Sequence, residues 1–162
     1  MYNVWNRIGD EPLAGWPVAL LRISLGVLFL RAVWGKIQAG AQWPENMVSF
    51  LHNVYGGAPA FYRSFVDNVV VPNAPLFAWA VLAGELYVGI ALVLGLTTRL
   101  AGLVGLMLVA NFMLAKGRDF WLPTNNDSLF VLILLTITFC GAGRVWGLDQ
   151  VLAKRWRRIL LW

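Results

Sequence analysis

The chain has 162 residues, of which 59% are hydrophobic and 13% charged, with a formal net charge of +5. An average soluble domain carries about 25% charged residues, so a water-soluble fold is excluded: it would have too little polar surface to cover this much apolar material. The positive balance does not point to nucleic acid, because the basic residues flank apolar runs, where anionic lipid headgroups are the nearer partner.

A bilayer core about 30 Å thick needs about 20 apolar residues per helix. Four segments approach that length: 17–39, 75–96, 99–116 and 127–146. The first contains Arg22 and Arg31 and lacks a small-residue cleavage site, so it is expected to stay as a span rather than serve as a signal peptide. Pro17 and Pro75 suit the first turn of a helix, where no N–H is needed. The segment 40–74 is too long for a plain connection and reads as two amphipathic helices broken at Gly56-Gly57-Ala58-Pro59. Met47, Phe50, Leu51 and Val54, then Phe61 or Tyr62 with Phe65, Val66 and Val69, fall at helical spacing, as expected of an interfacial cap. Thr97-Thr98 is so short a joint that the second and third spans form an antiparallel hairpin, and Asp127 after Asn125-Asn126 caps the fourth. In the tail 147–162, Leu148, Val151, Leu152, Trp156, Ile159 and Leu160 share a face beside basic residues, which predicts a helix lying on the inner leaflet.

Cytoplasmic flanks collect Lys and Arg. Arg7, Arg99, Arg144, Lys154, Arg155, Arg157 and Arg158 fall on one side, and Lys36, Arg63, Lys116 and Arg118 on the other. Both termini are therefore expected in the cytoplasm, in a plasma or other energy-transducing membrane. The expected architecture is one all-α membrane domain over 1–162, a four-helix transmembrane bundle with an amphipathic extracytoplasmic segment between the first two spans.

Ionisable residues inside a span cost several kcal/mol unless paired. At about 1.5 Å per residue, Glu85 lies roughly 15 Å from the outer end of its span, Arg31 roughly 12 Å, and Asn111 about 8 Å. Glu85 is expected to face the interior, paired with Arg31 or Lys36. The candidate site gathers Glu85 as proton-handling residue and Arg31, Lys36, Asn111 and Asp127 as polar ligands, with Trp34, Tyr87 and Trp121 as aromatic walls. A register-fixing ion pair with no ligand accounts for the same residues equally well. Arg22, nearer the inner end, is expected to snorkel to headgroups, and His52 to be an interfacial histidine. The single histidine and single cysteine, Cys140, offer no metal-ligand spacing, no haem-ligand pair and no CxxC redox pair.

Several stretches, in order and spacing, resemble the DoxX/DoxD family of small membrane proteins. They are Leu20-Leu21-Arg22 through Phe29 to Gly35-Lys36; Phe61-Tyr62-Arg63-Ser64-Phe65 with Val71-Pro72-Asn73; Gly84-Glu85-Leu86 through Leu94-Gly95-Leu96 to Thr98-Arg99; Asn111-Phe112; and Gly141-Ala142-Gly143-Arg144 with Gly147-Leu148-Asp149. The resemblance implies a four-span bundle and a link to membrane redox metabolism. DoxD is the small subunit of thiosulfate:quinone oxidoreductase, and DoxX relatives are associated with thiol redox and oxidative-stress complexes.

Two functions compete. The first is an oxidoreductase subunit with a quinone acceptor, whose outer-half pocket holds a quinone headgroup or a small sulfur anion. The chain carries no electron carrier of its own, so a partner redox subunit or bound cofactor would supply one. The second is a non-catalytic anchor or assembly subunit that docks through the amphipathic segment and basic tail. A homo-oligomer is compatible with either. A carrier is disfavoured, because four spans without inverted symmetry are few for alternating access.

Overall fold

Residues 15–155 are described by a computed structural model. Helices start around both early prolines: α1 runs Trp16–Ala39 and α4 Ala74–Leu94, each with its proline in the first turn. The cap between them comprises α2 (Trp43–Val54), a 3-10 turn at Tyr55–Gly57, and α3 (Ala60–Phe65), which continues through a π turn to Val70 and a 3-10 turn to Asn73. After the tight joint come α5 (Thr98–Lys116) and α6 (Asn126–Cys140), then α7 (Asp149–Arg155). No strand occurs among the described residues. Arg7 and the tail from 156 onward lie outside them.

Three helices, α1, α4 and α5, are long and apolar enough to cross a membrane, and α6 is a shorter apolar helix of 15 residues. The expected fourth span to residue 146 ends six residues early. Gly141 adopts φ 60°, a left-handed conformation that stops the helix, and a 3-10 turn follows at Ala142–Arg144. Its start falls within one residue of expectation, but the cap is Asn125, whose side chain accepts from the Asp127 N–H at 3.3 Å, while Asp127 itself lies in the first turn.

The helices pack in series: α1 on α4, α4 on α5 and α5 on α6. Small residues set the spacing, since a Cβ on Gly26 of α1 would stand 2.9 Å from the Gly89 carbonyl oxygen of α4. Leu25, Phe29, Val88, Leu92, Leu108, Leu134 and Ile137 fill the centre. The outward faces are apolar too, with Leu28, Leu103, Met107, Leu129 and Phe139 all exposed. Water would make those faces a liability, but hydrocarbon makes them the ordinary surface. A second cluster seats the cap on α4 and α5 through Met47, Leu51, Tyr62, Val66, Val70, Ala78 and Ala115. The buried stripe of the second cap helix is thus Tyr62, Val66 and Val70, while Phe61, Phe65 and Val69 are exposed.

At the opposite end, around the α4–α5 turn, Arg22 is the main departure from expectation. It does not snorkel: it is 0% exposed and donates to the carbonyls of Leu92 at 2.9 Å and of Val145 and Trp146 at 3.2 Å. Those carbonyls belong to the last turn of α4 and the segment after α6, where intrahelical donors run out. Asp149, also 0% exposed, accepts from the Thr97 N–H at 2.6 Å and the Thr98 N–H at 2.9 Å, capping α5 from a distant part of the chain. Glycines 95, 143 and 147 let these strands of backbone touch.

Candidate functional site

A helix turns about 100° per residue. Lys36, near the C-terminus of α1, and Glu85, midway along α4, meet on facing sides of the α1–α4 contact. Lys36 Nζ lies 2.6 Å from Glu85 Oε2 and 5.1 Å above the centroid of the Trp43 ring. Glu85 is only 2% exposed. The Trp43 indole N–H donates to the Ala78 carbonyl at 2.9 Å, so α2 is fastened beside the ion pair.

The pair lines a cavity of about 720 Å³ under the cap, a size suited to a small organic ligand. α1, α4 and α5 form its walls and α2 and α3 its roof, whereas α6 contributes nothing. The lining is largely apolar, including Met47, Phe50, Phe77, Val81, Met107 and Phe112. Its few polar groups are Lys36, Glu85, Asn46, Tyr62, Asn111 and Lys116. Tyr62, buried on the inner face of α3, donates its hydroxyl to Asn111 Oδ1 at 2.5 Å. That bond uses the amide oxygen and leaves Asn111 Nδ2 as a donor with no partner among the described residues. Lys116 bonds both carboxylate oxygens of Asp127, at 2.7 and 3.0 Å.

Of the residues predicted to converge, the structure brings together Lys36, Glu85 and Asn111. Asp127 stands one contact away, joined to the wall through Lys116. Arg31 is exposed and off the cavity, and Glu85 takes Lys36 as its partner instead. The reason is angular: Arg31 is five residues from Lys36, about 140° around the helix. Trp34 is 63% exposed on the outside of α1. Tyr87 turns to the far end, where its hydroxyl meets Thr97 Oγ1 at 2.9 Å. Each lies two residues from a cavity residue, about 200° away around its helix. Trp121, 82% exposed, stands outside in the α5–α6 connection. His52 is exposed on α2 and stacks on Tyr55 with centroids 5.4 Å apart.

Sequence reasoning missed Trp43, Tyr62 and Lys116. For Tyr62 a signal existed, because a phenol on the buried face of an amphipathic helix demands a hydrogen-bond partner and Asn111 was the unpaired polar residue of the facing span. Lys116 was counted only as a flanking charge.

The arrangement can seat a ring against apolar walls, offer N–H donors from Lys36 and Asn111, and present a carboxylate held by an ammonium. No curated protein and no solved structure matches the chain. The DoxX family model matches residues 18–116, a stretch that holds every cavity-lining residue and more than half of the chain, and the protein therefore belongs to the DoxX family.

Proposed function

We propose that this protein is an integral membrane subunit linked to quinone-dependent redox metabolism, with the cavity under the cap as the seat of the quinone headgroup. The observation that carries the reading is the Lys36–Glu85 pair, sequestered on the wall of a largely apolar cavity roomy enough for a quinone ring. Quinone chemistry moves protons with electrons. Lys36 Nζ and Asn111 Nδ2 donate to a quinone oxygen, and Glu85 exchanges a proton beside it. The electrons come from a partner redox subunit. In this reading α6, about 22 Å long by helical rise, crosses together with the 3-10 turn after it, completing a four-helix bundle. The cap faces the extracytoplasmic side of the plasma membrane and both termini the cytoplasm, from the seven-to-four basic asymmetry.

Mass spectrometry of lipids and proteins co-purifying in nanodiscs, followed by binding of a short-chain quinone analogue, tests the reading. Bound quinone, with affinity lost in Lys36→Ala and Asn111→Ala but kept in Arg31→Ala, is the expected result. A stoichiometric protein partner without any quinone binding makes the protein an anchor subunit instead.

A further inference from the structure

The walls of the cavity are exposed at an unexpected depth. Ala32 and Gly35 on α1, and Met107 and Asn111 on α5, line the cavity and are at the same time open to the outside. Met107 is 68% exposed and lies nine residues before Lys116, roughly 13 Å along α5 from its cap end. Ala32 lies about 10 Å from the cap end of α1 by the same measure. With α1 and α5 crossing the bilayer as proposed, an opening at that depth faces hydrocarbon. Its upper edge is Phe50 of α2, also exposed. The opening exists because α1 and α5 both pack on α4 and so stand apart from one another.

Gly35 is a second, independent observation. A glycine inside a helix is about 1 kcal/mol less favourable than alanine. Gly26, Gly89 and Gly105 offset that cost by close helix contact, whereas a Cβ on Gly35 would meet nothing within 4 Å. No turn or packing contact requires glycine there, and the position lines the cavity where it opens to the outside.

The charge on the walls also selects. Lys36 is neutralised by Glu85 and Lys116 by Asp127. An anion entering this apolar space would be stripped of water and would have to displace a carboxylate already in contact. Uncharged heads pay neither penalty.

We infer that the cavity is filled from the side, through the gap between α1 and α5, by an uncharged amphiphile dissolved in the bilayer, whose head reaches the Lys36–Glu85 pair while its chain trails past Gly35 and Met107. This rests on the reading of the cavity as a ligand site, and it excludes thiosulfate or another small sulfur anion as the occupant. It makes Ala32, Gly35 and Met107 contacts for the chain rather than the head.

The experiment uses the full-length protein in nanodiscs and two probes, a tailless benzoquinone and the same ring carrying a decyl chain with a terminal diazirine. Photolysis of the wild type is expected to label peptides around Ala32 and Met107. Gly35→Leu and Ala32→Trp are expected to weaken the chain-bearing probe about tenfold, which is 1.4 kcal/mol, while the tailless ring holds its affinity. Labelling confined to the cap, with both probes unaffected by the substitutions, overturns the lateral route and leaves the quinone reading standing. Displacement of either probe by thiosulfate overturns the uncharged head. If neither probe binds folded wild type, the quinone reading falls and this inference with it. Labelling of the wild type decides the route even if a variant fails to fold.

Discussion

Replacing Lys36 by methionine removes the cation and leaves the Glu85 carboxylate, 2% exposed, without its partner. At the observed 2.6 Å and an effective dielectric of about 20, the lost attraction is about 6 kcal/mol. Desolvation of the two ions consumes several kcal/mol each, so the intact pair is worth little more than two well-packed apolar side chains. Removing one member is different, because the remaining charge keeps its desolvation cost and gains nothing in return. Lys36→Met is therefore expected to destabilise the protein by about 3–5 kcal/mol. At about 2–4 °C per kcal/mol for a chain of this length, the thermal midpoint falls by roughly 6–20 °C. The double variant Lys36→Met/Glu85→Leu, which removes both charges, is expected to recover most of that loss, giving a coupling energy of at least about 2 kcal/mol in a double-mutant cycle. Thermal unfolding of the detergent-solubilised protein, followed by tryptophan fluorescence and by size-exclusion recovery, measures all four corners. A single variant as stable as wild type, or a double variant as unstable as the sum of the singles, refutes the reasoning.

Arg22→Leu should lower stability by about 3 kcal/mol or more, since it orphans carbonyls in the last turn of α4 and in the segment after α6. Arg22→Lys should rescue little, because one ammonium cannot reproduce a planar fork reaching both segments; full rescue in a melting experiment would show the charge alone to matter. Gly26→Ala should destabilise by about 1–3 kcal/mol through its clash with the α4 backbone, whereas Gly35→Ala should be neutral or raise the midpoint slightly. Equal effects of the two on the melting temperature would argue against the packing described here. Tyr62→Phe should cost about 1 kcal/mol for its bond to the half-open Asn111 and speed amide exchange in the cap; unchanged exchange in α2 and α3 would mean that this bond does not fasten the cap.

The starts and ends of α1, α4 and α5 were legible to within about two residues because prolines and glycines mark them chemically. The end of α6 was not, since Val145 and Trp146 extend the apolar run past a glycine whose left-handed conformation hydropathy does not register. Both span arginines differ from expectation: Arg22, expected at the headgroups, is buried, and Arg31, expected beside Lys36 as an alternative partner of Glu85, is outside. Depth along a helix can be read from spacing. Direction around it cannot when the helix is apolar on all sides, because no polar stripe marks which face meets its neighbours. Angular arithmetic from one anchor would still have helped: with Lys36 and Glu85 placed inward, Trp34 and Tyr87 must point away. The Asp149 cap on α5 was beyond reach, as it joins residues about fifty positions apart with no local pattern.

The knot of Arg22 and Asp149, with the backbone bonds from the Leu148 N–H to the Leu94 carbonyl and from the Asp149 N–H to the Gly95 carbonyl, gives the molecule a floor. Three separate stretches of chain are sewn together there by bonds that are buried or partly buried. If the cavity is filled through the gap between α1 and α5, such a floor makes the hollow above it a vessel and not a conduit, entered and left by the same doorway.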